Sequence, residues 1–334
     1  MPDATRPDAT RPEASGTRPS VLPQVEPVPF GRTARRLEWQ HLPAQVRSWV
    51  EDRCGSPVVD AASQGGGFTP GFASVLTCAD GSRVFVKAAS VQAQGLFAAS
   101  YREEARKLAG LPQGIPAARL LWSRDDDWVV LGLEYVAGRQ PRRPWQPEEL
   151  DRVLDELESM AAALTPAPTD LALDPVEEEF ADLVAAWDQV RASRPDLPHL
   201  DEAAALAAAH REVTTGETLV HTDLRADNVI VGDDGRIWLC DWNWPVVGAG
   251  WLDTLFLLVE ARGDGIDADA VLASRALTRD LPADHVDRVI ALLAGYFLRQ
   301  ADLPVPATSP YLRQHQAWCA AVVWDWLCER RGWS

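Results

Sequence analysis

Residues 221–241 read His221-Thr222-Asp223-Leu224-Arg225-Ala226-Asp227-Asn228-Val229-Ile230-Val231-Gly232-Asp233-Asp234-Gly235-Arg236-Ile237-Trp238-Leu239-Cys240-Asp241. Two short apolar runs, Val229–Val231 and Ile237–Leu239, flank Asp233-Asp234-Gly235, so the stretch predicts a loop followed by a two-strand hairpin. Asp223 and Asn228 share the loop, five residues apart. The hairpin folds the chain back, so that Asp241 can reach a metal that Asn228 also binds. Such a set suits phosphoryl transfer. One carboxylate (Asp223) orients an acceptor hydroxyl and takes its proton, while an oxygen ligand (Asn228) and a second carboxylate (Asp241) hold Mg2+ against phosphate oxygens. Asp227 and Asp233 read as turn or surface acids rather than ligands.

Upstream lies Gln64-Gly65-Gly66-Gly67-Phe68-Thr69-Pro70-Gly71-Phe72. A glycine-rich turn between strands lets backbone N–H groups approach phosphate oxygens without a Cβ in the way, although three glycines alone mark only a flexible turn. No Gly-Lys-Ser/Thr follows, so it is not a Walker A loop. Val75–Cys78 and Val84–Lys87 read as strands joined by the hairpin turn Ala79-Asp80-Gly81-Ser82. Lys87 ends this second strand, where a lysine either snorkels to solvent or points into a cleft. In a cleft it needs a carboxylate partner, and the predicted helix Phe97–Leu108 offers Glu103 and Glu104. Ala44–Cys54 reads as a helix closed by Gly55, and Leu120–Trp122 and Trp128–Tyr135 as two further strands.

The 221–241 segment resembles the catalytic and metal-binding loops of protein kinases, and is more closely similar to the aminoglycoside-phosphotransferase family. There the aspartate matching Asp241 is usually followed by Trp, as here by Trp242. The resemblance spans roughly residues 40–333 and includes GGFTPGFAS, DGSRVFVKA and a C-terminal helix ending in RRGW. It implies an α+β, bilobal, protein-kinase-like fold, with a small N-terminal lobe of antiparallel sheet and one main helix, and a larger, mostly helical C-terminal lobe. It implies that Gly65, Gly66, Gly67 and Gly71 form the loop covering the nucleotide, and that Lys87 contacts its α/β phosphates. The family's Arg-Glu-Ala pattern points to Glu104 as the lysine's partner, with Glu103 as the alternative. Val129–Gly138 resembles the strand and hinge joining the lobes, where backbone groups of Glu134 and Val136 would bond the purine edge. Asp253 resembles the aspartate that steadies the catalytic loop, and His221 is expected to pack or hydrogen-bond beneath that loop. Two departures stand out. The chain has His-Thr-Asp and Arg-Ala-Asp-Asn where the commonest family loop has His-Gly-Asp and His-Pro-Gly-Asn, so Arg225 is expected to contact phosphate or acceptor. Asn243 stands where an acid is frequent.

Downstream and around this centre, Glu148–Leu164, Val176–Arg191, Asp201–Glu212, Trp251–Ala261, Ala268–Leu277, Ala283–Leu298 and Tyr311–Arg331 read as helices, and Leu219-Val220 as a short strand. The organisation expected is a disordered tail over 1–35, opening on the repeat PDATR-PDATR-PEASG; a nucleotide-binding lobe over 36–135; and a helical lobe over 136–334 carrying the catalytic loop and acceptor site. Of 334 residues, 46% are apolar, enough for a sizeable core in two units.

Net charge is -17, from 49 acidic and 32 basic residues, a field that repels nucleic acid and anionic membranes. It would favour a cationic substrate, or serve only as a solubilising surface. Glu177-Glu178-Glu179 with Asp182, and Asp264, Asp267 and Asp269, could wall an acceptor site or simply face water. Trp242, Trp244 and Trp251, three of 14 tryptophans, read as core packing or as stacking platforms. Five cysteines without a CxxC pair indicate neither a disulfide framework nor a zinc site and fit a cytoplasmic protein. No apolar run reaches the ~20 residues of a membrane span, and no signal-peptide pattern opens the chain. The expectation is a kinase using Mg2+ and ATP or GTP on a small-molecule hydroxyl acceptor, such as an aminoglycoside. A macrolide, nucleoside antibiotic, choline or amino-sugar acceptor, or a catalytically silent nucleotide-binding regulator, are the alternatives. The order of ATP and GTP preference and the oligomeric state are left open.

Overall fold

The computed structural model describes residues 22, 23, 25, 26, 28 and 33–333. The expected tail therefore lies largely outside the described residues. Where described, it is not free-standing: Leu22 and Thr33 are buried, Leu22 in the core of the helical part.

Helix α1 (Ala44–Cys54) buries Val46 and Val50 and stops at Gly55, whose φ of 73° closes the C-terminus with its N–H on Glu51 O at 2.9 Å. Strands β1 (Val58–Ser63), β2 (Phe72–Cys78), β3 (Arg83–Ser90), β4 (Leu120–Asp125) and β5 (Trp128–Glu134) form one antiparallel sheet in the order β1-β2-β3-β5-β4. The β2–β3 turn is set by Asp80, whose Oδ1 accepts Ser82 N–H at 2.9 Å, and by Gly81 at φ 86°.

Side chains alternate across a strand, and β3 uses both faces. Val84, Val86 and Ala88 pack with Val46 and Val50 of α1. Ala89 packs with Ala98 and Tyr101 of helix α2 (Gly95–Gly110), together with Val129 and Leu131 of β5. Lys87 has the parity of Ala89, so the pleat aims it at α2. β1 was not anticipated as a named strand. It is an edge strand with little burial, so neither alternation nor apolarity marks it.

After β5 the chain becomes mainly helical. Its elements are β6 (Gly138–Arg139), α3 (Pro147–Ala163), α4 (Val176–Glu179), α5 (Ala181–Ser193), α6 (Leu200–Ala208), α7 (Arg211–Thr214), β7 (Thr218–Val220), β8 (Val229–Gly232), β9 (Ile237–Leu239), β10 (Val246–Gly248), α8 (Leu252–Gly263), α9 (Ala268–Ser274), α10 (Ala283–Ala301) and α11 (Leu312–Arg331). α10 packs on α5, α6 and α11, and one apolar core runs through the whole part.

Two predicted helices are each broken. Val176–Arg191 divides at Phe180 (φ -87°, ψ 3°), whose ring turns inward against Phe256. Asp201–Glu212 divides near His210, which is buried and within hydrogen-bond distance of Thr214 Oγ1 at 3.2 Å. The three-residue β10 was not anticipated. It pairs with β7, while β8 and β9 form the expected hairpin, extended by β6. The result is the bilobal, protein-kinase-like α+β architecture, with the hairpin and its loops facing the five-stranded sheet across a cleft.

Candidate active site

The sheet side of the cleft centres on Lys87. Its Nζ donates to Glu104 Oε1 at 2.7 Å and Oε2 at 2.8 Å, and pairs with Asp241 Oδ1 from the other lobe. Glu104 is 1% exposed. Glu103, by contrast, faces outward and pairs with Arg106 at 2.8 Å, so the choice between the two acids falls to Glu104 on geometry. Burial works against the charged form of Lys87, but the carboxylates of Asp241 and Glu104 outweigh it and its pKa rises. Burial raises the pKa of Glu104 above the usual carboxylate range, with Lys87 opposing. Burial would do the same to Asp241, but Lys87 prevails there and lowers it.

On the opposite side the backbone makes two unusual turns. Thr222 and Asp241 have φ of 68° and 62°, values that cost a β-branched residue such as threonine most. Helix α8 supplies what holds them. Asp253 accepts the N–H groups of His221 (2.8 Å) and Thr222 (2.9 Å), and Glu260 accepts that of Ala226 at 2.8 Å. The two acids are seven residues apart, two turns along one helix face, so a single helix edge fastens the loop at both ends. Burial raises the pKa of both, with the neighbouring His221 and Arg143 respectively pulling them down. His221 is fully buried. Its Nδ1 accepts Asp223 N–H at 3.3 Å, and its Nε2 lies 2.9 Å from Cys240 O, which can only accept, so the proton sits on Nε2. Trp242 packs edge-on beneath it.

The three oxygen-bearing side chains named from the sequence are linked. Asn228 Nδ2 donates to Asp223 O at 2.8 Å and to Asp223 Oδ2 at 3.0 Å. Asn228 O accepts Cys240 N–H at 2.8 Å, which sets Asp241 beside it. A cavity of about 530 Å³ is lined by Asn228, Asp241, Lys87, Glu104, Gly65, Gly66, Gly67, Glu134 and Val136, among others. Asp223 does not line it and adjoins through Asn228.

Other candidates from the sequence are placed as follows. Gly71 does not line the cavity; it is a packing glycine, since a Cβ there would lie 2.6 Å from Tyr101 Oη and 3.1 Å from Ala88 O. Arg225 bonds Asp227 (3.0 and 3.2 Å) and lies 3.7 Å from Asp223 Oδ1. Asp227, expected at a surface turn, is thus a half-buried ion-pair partner that lines the cavity. Asp267 caps α9 through Ala270 N–H and Asp269 accepts Trp326 Nε1–H, so these two serve the fold, while Asp264 binds Arg143 and lines a second, smaller cavity with Asp227 and Glu260. Trp242 and Trp251 are core, while Trp244 is exposed.

Several contributors were missed. Gln140 lines the cavity and comes so near Gly66 that a Cβ there would lie 2.6 Å from its Nε2. Glu260 had a signal, an acid two turns from Asp253 across the apolar run Leu255–Val259. The tip of the glycine-rich turn was not anticipated to reach the other lobe. Phe68 O accepts Ser309 Oγ–H at 2.6 Å, and the Phe68 ring lies 5.0 Å from His315 and 5.5 Å from the Arg225 guanidinium.

Residues 75–264, more than half the chain, match the phosphotransferase enzyme family APH. The chain belongs to this family. Its members' kinase-like phosphotransferase fold is also what solved structures share with it. The choline kinase LicA from Streptococcus pneumoniae aligns over 84% of this chain and 99% of its own, at 12% identity and TM-score 0.57. Macrolide 2'-phosphotransferase type I aligns over 82% and 96%, at 17% identity and TM-score 0.56. An aminoglycoside phosphotransferase from Alicyclobacillus acidocaldarius aligns over 82% and 92%, at 17% identity and TM-score 0.54. No curated protein sequence matches the chain. Among the described residues, no helix is long and apolar enough to cross a membrane.

Proposed function

We propose that this APH-family chain is a Mg2+-dependent O-phosphotransferase that moves the γ-phosphate of ATP or GTP to a hydroxyl of a small molecule. The observation that carries this is two contact groups across one cleft, Asp223–Asn228 and Asp241–Lys87–Glu104, joined through the Cys240 N–H on Asn228 O. Asp223 orients the acceptor hydroxyl and takes its proton. Lys87, held by Glu104, binds the phosphate oxygens. Gly65, Gly66 and Gly67 cover them, and the backbone of Glu134 and Val136 meets the base. Residues 36–135 form the nucleotide lobe and 136–334 the acceptor lobe.

The residues present fit a hard divalent cation. With the Asn228 amide nitrogen engaged by Asp223, its oxygen is left for a cation, and Asp241 offers a carboxylate on the same cavity. Asn243, also lining the cavity, has a buried side-chain oxygen with no hydrogen-bond donor among the described residues. Few protein ligands suffice, because Mg2+ completes its shell with phosphate and water oxygens. Once bound it neutralises charge developing on the phosphates.

The acceptor is a hydroxylated small molecule, with cationic ones such as aminoglycosides favoured by the net charge of -17. Five free cysteines support a cytoplasmic setting. The test is nucleotide turnover over a panel of aminoglycosides, macrolides, nucleoside antibiotics, choline and amino-sugars. One class should stimulate turnover, and Asp223→Ala should lower the stimulated rate by roughly 10²–10⁴-fold while nucleotide binding persists. Wild-type rates in that variant would refute the role of Asp223.

A further inference from the structure

Three cationic side chains line the large cavity: Lys87, Arg139 and Arg36. Lys87 is paired with Glu104 and Asp241, and Arg139 with Glu149. Arg36, which precedes every helix and strand, has no carboxylate within ion-pairing distance among the described residues. Its Nη2 donates to Gly66 O, and its Nε is buried with no hydrogen-bond partner among the described residues. A half-buried guanidinium with so few of its five donors engaged is unusual, because charges withdrawn from water are ordinarily paired.

The segment around Arg36 is fixed in place. Thr33 N–H donates to Gly65 O at 3.1 Å, Thr33 Oγ1 donates to the same oxygen at 3.2 Å and to Gly67 O, and Arg35 N–H donates to Thr308 O at 2.8 Å. This run is thus tied to both the glycine-rich turn of one lobe and the 308–309 loop of the other. Positioning of this kind gives a guanidinium a set direction, and a planar fork of donors is matched to phosphate oxygens.

We infer that Arg36 is a phosphate-binding residue, supplied to the cleft by the segment that precedes the sheet, and that it contacts the phosphate chain of the bound nucleotide beside Asp241. The inference rests on the nucleotide reading given above. It adds a cation from a part of the chain that the family match, beginning at residue 75, does not include.

The experiment is calorimetric titration of the full chain with Mg·ATP or Mg·GTP, whichever the wild type binds more tightly, and with the matching phosphate-free nucleoside. Arg36→Ala and Arg36→Gln should weaken triphosphate binding by about tenfold, the loss of one charge-assisted bond, and nucleoside binding by less than about twofold. Arg36→Lys should recover part of the loss. Arg36→Gln keeps a donor for Gly66 O, so a folding defect confined to Arg36→Ala leaves the measurement intact. Unchanged triphosphate affinity, or equal weakening of triphosphate and nucleoside, would overturn the role of Arg36 alone. A wild type that binds neither triphosphate would overturn the nucleotide reading and this inference with it.

Discussion

The two walls of the cleft use buried acids in opposite ways. On the sheet wall, Lys87 is placed by strand register, its backbone bonds are those of the ladder, and Glu104 serves only to face a side-chain cation. On the loop wall, the 221–228 segment has no ladder to satisfy it, and two positions around the site take left-handed backbone angles. There Asp253 and Glu260 act on the backbone itself, taking three N–H groups, two of which would otherwise be buried without partners. A side-chain acid can replace secondary structure as the acceptor of main-chain donors, and where it does, the fold depends on it far more.

That contrast can be broken by single substitutions. The largest effect is expected at Asp253→Ala, which orphans two N–H donors, one buried and one half-buried, once bonded to a carboxylate. A loss of about 3 kcal/mol or more in urea unfolding follows from hydrogen bonds to charged groups, and a loss below about 1 kcal/mol would show that the loop is held by something else.

Next comes His315, on the loop side, packed against Phe68, Trp318 and Cys319 with Arg225, Asp227 and Arg143 nearby. Burial, aided by Arg225, lowers its pKa from 6.5 to about 3. The unfolded chain then binds the extra proton first, so this stability is present above pH 6.5 and is lost as pH falls toward about 3. Between about pH 7 and about pH 5 the cost is about 2 kcal/mol, and His315→Gln should flatten that part of the stability profile. An unchanged slope would mean that another group carries it.

The smallest stability change is expected on the sheet wall. Glu104→Gln relieves one of two carboxylates crowded around a single ammonium, so unfolding should shift by less than about 1 kcal/mol. Binding of Mg·ATP should nonetheless weaken by about tenfold, because Lys87 would be left to Asp241. A large destabilisation with unaltered nucleotide binding would reverse the distinction between the walls.

The sheet wall was the more legible in sequence because its signals are local. Asp80-Gly81 marks the turn, alternation along Val84–Lys87 marks the strand, and Glu104 falls on the helix that follows. On the loop wall the residue types and spacing of Asp223, Asn228 and Asp241 were readable, since a hairpin between them limits where the chain can go. What fastens them was only half readable. Asp253 came through likeness to a family, whereas Glu260 and the ion pair of Arg225 with Asp227 depend on contacts between segments that no local pattern encodes. Gly71 shows the converse case. A glycine near a phosphate-type turn suggested a ligand contact, and the structure gives it a packing demand that no local pattern encodes, space under the Tyr101 hydroxyl. Arg36 was invisible because its neighbours in sequence are poor in apolar residues, and its place is fixed by backbone bonds to carbonyls far along the chain.

The anchoring of Phe68 has a kinetic meaning. The bond from Ser309 to its carbonyl joins positions 241 residues apart, and the ring rests between His315 and Arg225. The glycine-rich turn is thus buttoned at its tip to the far lobe. Any opening of the cleft that draws Phe68 away from Ser309 must break this bond, which lies well away from Lys87 and Asp241.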